Sequence, residues 1–327
     1  MTRFTRKLLF SIFSFTFFFS ILGTVTYAWF SLSQLNRLNN LDINIVTGDE
    51  FQISLDGINF SKEISTEDIE RVIGTQALLA DVTSFDGETF VFGILNKDKT
   101  PVANVDYLSF TLYFRTTRPQ KYVYLVDNVS DQVQYDQVRD GTYVVSQGID
   151  WRADCTFLNG PNPETDMVYP GERKTFYASD AVRISFIEEK IVENPLDQRS
   201  GSELSKKIFD LSGAPERGYG ILFGELSYFN EKHNTDLLPP STIPNTIYHL
   251  THFEEYNPRI AVNRNSEILE MIETDKKDEE NNTYYLGKVQ VYVWIEGWDA
   301  DCFNAIYNDS LRIRLKFQAG NPVISNI

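Results

Sequence analysis

Two copies of a short motif carry the residues of this chain most able to do chemistry. Trp151-Arg152-Ala153-Asp154-Cys155 and Trp298-Asp299-Ala300-Asp301-Cys302 both read W-x-A-D-C, and each follows a strand-like run. The echo predicts a paired structural element with packed tryptophans; the alternative is coincidence, because the flanking residues do not match. An oxidising exterior favours a disulfide between Cys155 and Cys302, and the alternative is two free thiols.

Histidines and aspartates offer weaker candidates for a metal site. His249 and His252 are spaced i, i+3 ahead of two glutamates, but the chain has no H-E-x-x-H, the helical zinc-protease motif. Asp299 and Asp301 could join a calcium site, since carboxylate oxygens suit that ion. No EF-hand loop or repeated nonapeptide accompanies them. We therefore expect no metal and no other cofactor.

Sequence motifs for nucleophilic or phosphate chemistry are missing. The chain has no G-x-S-x-G, G-x-x-x-x-G-K or G-x-G-x-x-G, and three histidines are present to act as a base. A pair of carboxylates for glycoside hydrolysis cannot be picked out, because 46 acidic residues offer many pairs. We expect a protein that is not an enzyme, with a secreted hydrolase or metallopeptidase as the less favoured alternative.

The first thirty-odd residues have the layout of a secretion signal. Three basic residues precede a run rich in Phe, Leu and Ile, and the next charged residue is Arg37. A positive start, an apolar centre and a small residue at the cut point define such a signal, so residues 1–28 are predicted to be removed between Ala28 and Trp29. The alternative is an uncleaved anchor, because 29 uncharged residues from 8 to 36 can span a bilayer.

Either alternative places the bulk of the chain outside the cell, since the basic end stays in the cytoplasm. The predicted location is therefore extracellular or at the cell surface, with membrane contact through the N-terminal segment alone. Removing residues 1–28 takes away three basic residues and no acid, so the mature charge is 27 minus 46, or −19. Such a chain repels nucleic acid.

Composition and periodicity predict an all-β fold: a β-sandwich, jelly-roll-like, with a few helices in connections and insertions. Hydrophobic residues make up 42% and aromatic residues 14% of the chain, enough for a large core. LDINIVTG, FQISLDGINF and YLSFTLYF alternate apolar and polar residues, which is typical of half-buried strands. Asp56-Gly57 and Pro170-Gly171 mark turns, and Ser65 or Thr66 is predicted to cap a helix in STEDIERVIGTQALLADV.

The predicted layout has three parts. Residues 1–28 form the signal peptide, 29–40 an N-terminal segment and 41–327 the sandwich domain. An irregular insertion at about 192–286 contains many of the prolines and all three histidines. Within it we predict short strands near YGILFGEL and a helix near SEILEMIE.

Several segments resemble one group of bacterial surface proteins. GTVTYAWFS resembles the export signal of Gram-positive (Firmicutes) proteins cut by a SipW-type signal peptidase, a group that includes camelysin and the biofilm fibre protein TasA. LDINIVTGDEFQISLDGINF, LSFTLYFRT, DAVRISF and VYVWIEGWDADCFNAI look like recurring segments of uncharacterised members, and Pro170-Gly171-Glu172 resembles a camelysin-like turn. The resemblance covers most predicted strands but not residues 192–286. It implies a jelly-roll fold, processing by that peptidase and a structural role in the matrix or at the cell surface.

Two functional hypotheses follow. The first is a non-enzymatic exported surface or extracellular-matrix protein that acts by assembly or adhesion, donating a strand to another copy or another surface protein. The predicted donor strand runs from Trp29 to Asn44, and its leading apolar side chains are Trp29, Phe30, Leu32 and Leu35. The second is a carbohydrate-binding surface module. Its candidate glycan-stacking residues are Trp151, Trp294 and Trp298.

Overall fold

The computed structural model describes residues 12–18, 35–46, 50–74, 78–93 and 99–323. The strands up to residue 158 are β1 (Asn36–Ile45), β2 (Gln52–Ser54), β3 (Glu63–Ile64), β4 (Leu78–Leu79), β5 (Asp81–Thr83), β6 (Val91–Phe92), β7 (Leu108–Thr116), β8 (Tyr122–Leu125), β9 (Tyr143–Ser146), β10 (Ile149–Arg152) and β11 (Phe157–Leu158). The later strands are β12 (Met167–Val168), β13 (Arg173–Phe176), β14 (Val182–Glu189), β15 (Lys206–Phe209), β16 (Thr246–Ile247), β17 (Ile260–Ala261), β18 (Glu267–Glu270), β19 (Ile272–Lys277), β20 (Thr283–Glu296) and β21 (Ser310–Pro322).

Helices are few within these ranges. The α-helices after the N-terminal segment are α1 (Thr66–Ile73) and α2 (Glu225–His233), and residues 12–18 are also helical. Short 3-10 turns occupy Ser130–Gln132, Ala178–Ala181, Gly201–Glu203, Pro215–Arg217 and Asn304–Ile306. No helix in the described part of the chain has the length and apolar character needed to cross a membrane.

The strands form two large sheets and two small pairs. Sheet I runs β18-β8-β21-β1-β3, with β4 added to β1 and with β9 and β17 added to β21. Sheet II runs β16-β15-β14-β20-β5-β6, and β7 and β19 also pair with β20. The small pairs are β10–β13 and β11–β12.

The two sheets pack face to face around one core. The ring of Phe317 in sheet I lies 5.1 Å from that of Phe114 and 5.7 Å from that of Phe186, both in sheet II. The largest hydrophobic cluster draws buried residues from both sheets. The prediction of an all-β sandwich with few helices is confirmed.

Local patterns explain several elements. In β7 the side chains of Leu108, Phe110, Leu112 and Phe114 are buried, and their neighbours are half-buried, as the period of two requires. Helix α1 begins with a capping box at Ser65 and ends at Gly74, whose φ of +93° favours glycine. It is therefore shorter than the segment predicted to be helical.

The predicted insertion contributes strands to both sheets. β15 pairs with β14, β18 with β8 and β19 with β20. The predicted helix near SEILEMIE is wrong, because residues 267–270 and 272–277 are strands. Ile268 and Leu269 in the first strand, and Met271 between the two, are completely buried. The predicted strand near YGILFGEL is also wrong, since Gly224 at a φ of +66° leads into α2.

The first and last strands lie side by side at the centre of sheet I. β1 pairs with β21 in parallel from Arg37–Ser310 to Ile45–Phe317, with a bulge between Leu38 and Asn40. A parallel pair joins distant parts of a chain, because a short hairpin cannot make it. Sheet I is therefore a mixed sheet, with both parallel and antiparallel strand pairs.

Candidate functional site

The seam between β1 and β21 is the part of the fold that bears most directly on strand donation. The ladder begins near the start of β1 and extends past its end: the amide of Arg37 donates to the carbonyl of Asp309 at 3.0 Å, and the amide of Val46 donates to that of Phe317 at 2.8 Å. The opposite edge of β1 is covered in two short stretches, by β3 and β4. Most of the hydrogen bonding of β1 is therefore with β21.

β1 also fills the core beneath sheet I. Leu41, Ile43 and Ile45 are at most 4% exposed and belong to the main cluster. Burying three aliphatic side chains stabilises a fold by about 5–9 kcal/mol, and a whole domain is stable by about 5–15 kcal/mol. The fold therefore depends on a strand occupying this slot.

Asp309 ties the start of the seam to its surroundings. This fully buried residue accepts hydrogen bonds from the amides of Gly148 and Ala178, both at 2.9 Å. Its own amide donates to the side chain of Asn36 in β1 at 3.1 Å. On the far side of β1, Thr66 at the start of α1 donates to Asp42 at 2.9 Å. Both strand edges are thus anchored by side chains.

The predicted donor residues fall into two groups. Ala28, Trp29, Phe30 and Leu32 lie outside the described residues. Leu35 is half-buried and packs on a second cluster that contains Phe90 and Trp294. Residues 36–44 pair with strands of their own domain. The structure therefore describes the predicted donor strand before any donation to another molecule.

A buried ion network lies at the end of β20, in the second W-x-A-D-C copy. The side chain of Arg183 on β14 is 2% exposed, ion-pairs with Asp210 at 2.9 Å and hydrogen-bonds to Asp299. Burial opposes its charge, but Asp210 and Asp299 raise the pKa of Arg183 above its ordinary value. Burial raises the pKa of Asp299, and the Arg183 guanidinium opposes that rise. The network fixes the turn after β20.

The other aspartate of this motif also forms an ion pair with an arginine. Arg217 binds Asp301 in a bidentate pair, with Nε–Oδ2 at 2.8 Å and Nη2–Oδ1 at 2.6 Å, and reaches the carbonyl of Asn159 at 2.9 Å. The calcium candidates Asp299 and Asp301 therefore face guanidinium groups. The described ranges hold no group of three or more potential ligands placed to bind a metal ion.

The two histidine candidates lie on the surface. His249 and His252 are both exposed. His249 lines an open groove with Lys207 and Arg264, whose cationic side chains would repel a metal ion. Neither histidine belongs to a group of three potential metal ligands in the described part of the chain.

Both cysteines are free thiols in the structure, so the predicted disulfide is not formed there. Cys302 is buried in the main core cluster, and Cys155 is half-buried against it. Burial raises the pKa of Cys155 to about 11, and Asp154 beside it adds to the rise. Protonated thiols react slowly, so Cys155 behaves as a packing residue.

The two motif copies meet through aromatic packing. The ring of Trp151 lies 5.6 Å from that of Phe303, which follows Cys302, and 5.7 Å from that of Tyr228. Their environments otherwise differ: Asp154 forms a surface ion pair with Lys232, whereas its counterpart Asp301 pairs with an arginine of the network.

The tryptophans proposed for glycan stacking are not gathered in one site. Trp294 is wholly buried and donates its indole N–H to Glu296 at 2.9 Å, so the prediction is wrong for this residue. Trp151 is half-buried and committed to the aromatic cluster. Trp298 is half-buried as well. A stacking platform of all three is ruled out by these positions.

Two acids near the start of β5 have no cationic partner among the residues that the structure describes. Burial raises the pKa of Asp81 to about 7, with a further rise caused by Asp106. Burial also raises the pKa of Glu225 well above its usual range, and Asp81 adds to this. The Oε2 atom of Glu225 is buried without a hydrogen-bond partner. Both carboxyls therefore bind a proton more readily than an ordinary acidic side chain does.

Sequence reasoning missed Arg183, Asp210 and Arg217. The one signal was the arginine within the apolar run AVRISF. A charge in a strand that is buried on both faces needs a buried partner. Nothing in the sequence said which aspartates would supply it.

Comparisons with protein-family models, curated proteins and solved structures found no match to this chain.

Proposed function

We propose that this protein is an exported surface or matrix protein that assembles by exchanging its N-terminal strand between copies. The supporting observation is that β1, the first strand, fills a central slot of the sandwich by pairing with β21. When β1 leaves, the slot presents an unpaired strand edge and an apolar floor. A second copy of β1 matches both, because strand addition recognises main-chain groups and alternate side chains.

The geometry of the exchange favours chains of molecules. Each copy would donate β1 to one neighbour and accept β1 from another, which is a head-to-tail contact. Such contacts produce filaments when the rotation between copies does not close a ring. A fibre in an extracellular matrix is the expected product.

Export is supported by the character of the N-terminal segment. The helical residues 12–18 include Phe13, Phe17 and Phe18, which are between 61% and 72% exposed. So apolar a surface needs a membrane or a partner to cover it, as the apolar centre of a signal peptide does during export.

A disulfide lock across the seam tests the proposal. Arg37 and Ser310 are paired positions on neighbouring strands, whose spacing of about 4.8 Å lies within disulfide reach. We expect residues 29–327 carrying Arg37→Cys and Ser310→Cys, with both native cysteines replaced by alanine, to polymerise when reduced and to stay monomeric when oxidised. Light scattering followed over time measures the mass distribution.

The matched control carries Arg37→Cys alone in the same background. It should polymerise with and without oxidant, because one thiol cannot close the seam. Equal polymerisation of the oxidised and reduced lock would show that β1 does not exchange. A stable monomer under every condition would contradict self-assembly itself.

A further inference from the structure

A cleft of about 510 Å³ opens beside β9 at the margin of sheet I. Residues of β9 line it together with the 3-10 turns Ser130–Gln132 and Ala178–Ala181. Its volume falls within the roughly 300–1,000 Å³ usual for small-molecule sites. The cleft is separate from the residues of the W-x-A-D-C copies.

The lining of the cleft is polar and disfavours an anionic ligand. Gln134 and Gln147 carry amides that both donate and accept hydrogen bonds, and Asp131 and Asp180 carry carboxyls. No lysine or arginine is among the lining residues that the structure describes. An anion would therefore meet two acids and no cation, whereas a molecule rich in hydroxyl groups would find partners.

Two tyrosine rings border the cleft with restricted motion. Tyr177 is 43% exposed and rests against Gly148, where a Cβ atom would come within 2.5 Å of the ring. The hydroxyl of Tyr135 accepts a hydrogen bond from Asn39 at 2.7 Å, and the guanidinium of Arg312 lies 5.9 Å from its ring centroid. Rings already held in place lose little entropy when a ligand packs on them.

Asp180 is a weakly hydrogen-bonded acid in the cleft. Its carboxyl is half-buried and accepts one long hydrogen bond, 3.4 Å from the Ser179 hydroxyl. Burial raises its pKa to about 7, and Asp301 adds to the rise, while Arg217 lowers it. A desolvated carboxyl with so weak a partner gains from a hydroxyl donor supplied by a ligand.

We infer that this cleft binds a neutral oligosaccharide, with sugar rings against Tyr177 and Tyr135 and hydroxyl groups on Asp180, Gln134 and Gln147. The flat C–H faces of pyranose rings suit aromatic side chains, and their hydroxyls suit amides and carboxyls. The inference goes beyond self-assembly and does not depend on it. A fibre subunit with such a cleft would hold the polysaccharide around it.

Calorimetric titration of residues 29–327 with two neutral hexamers, one of β-1,4-linked N-acetylglucosamine and one of β-1,4-linked glucose, tests this inference. We expect saturable binding of at least one hexamer. Tyr177→Ala should weaken it about tenfold, while Tyr177→Phe, which keeps the ring, should retain it. Tyr256→Ala is the matched control, because Tyr256 is 96% exposed and outside the cleft.

Three results would overturn the assignment. The first is no binding of either hexamer by the unchanged protein. The second is equal binding by Tyr177→Ala and the unchanged protein. The third is loss of binding on Trp298→Ala with Tyr177→Ala unaffected, which would move the site to the end of β20. Circular dichroism of each variant establishes that the fold is intact, since Tyr177 is exposed and its truncation leaves no core cavity.

Discussion

Replacing Arg183 by methionine is expected to destabilise this protein by about 3–5 kcal/mol, because removal of one partner leaves buried charges uncompensated. Arg183 is wholly buried and meets Asp210 and Asp299. A loss of this size is a large share of the stability of an ordinary domain. Urea denaturation of residues 29–327 at pH 7, followed by tryptophan fluorescence, measures the difference in free energy of unfolding.

Arg173→Met is the matched control. Arg173 forms an ion pair with Asp150 at 2.8 Å, but the two side chains are 65% and 60% exposed, so its loss should cost at most about 1 kcal/mol. A rescue variant removes the stranded charges as well: Arg183→Met with Asp210→Asn and Asp299→Asn should recover much of the lost stability. A cost for Arg183→Met no greater than for Arg173→Met would show that the network contributes little.

Replacing Asp81 by asparagine is expected to stabilise the protein above neutral pH. The folded pKa of Asp81 is raised to about 7, from an ordinary value of 3.8. Between these two values the folded protein keeps a proton that the unfolded chain releases, so stability falls as pH rises from about 4 to 7. Each pKa unit corresponds to about 1.4 kcal/mol, which gives a cost of about 4 kcal/mol at pH 8.

The asparagine variant keeps the shape of the side chain and cannot ionise. Its stability should exceed that of the unchanged protein at pH 8 by about 2–4 kcal/mol and match it near pH 4. Denaturation curves at pH 4, 5, 6, 7 and 8 measure the slope for both proteins. The general repulsion among acids in this chain acts on both, so the difference isolates Asp81.

Asp275→Asn provides the control for charge alone. Asp275 is an exposed residue of β19, and its replacement removes the same charge without relieving any burial. We expect a nearly constant offset across the pH range. Parallel curves for Asp81→Asn and the unchanged protein would mean that Asp81 is not held protonated in the fold.

Where the sequence patterns were strong, they predicted the local structure correctly. The alternation of β7, the cap at Ser65 and the turn at Pro170-Gly171 all depend on neighbouring residues, and each appears in the structure. The sandwich follows because apolar faces of that length must be buried against one another.

The features that could not be predicted from the sequence depend on contacts between residues far apart in the chain. The segment near Ile268 contains good helix formers, yet it becomes β18 because pairing with β8 and complete burial outweigh its helix propensity. The partners of Arg183 lie on separate loops, and any of 46 acids could have filled those positions. The cleft beside β9 is likewise built from residues that no motif groups together.

The neighbouring positions of the first and last strands affect how this protein is made. Asn36 and Asp309, which join at the head of the seam, are 273 residues apart. A chain that emerges N-terminus first, from a ribosome or a secretion channel, must wait for β21 (Ser310–Pro322) before sheet I can close. Contacts so distant in sequence slow folding. Every growing molecule therefore passes through a stage in which β1 lacks its β21 partner, and β21 of a neighbour that has already emerged is available to pair with it.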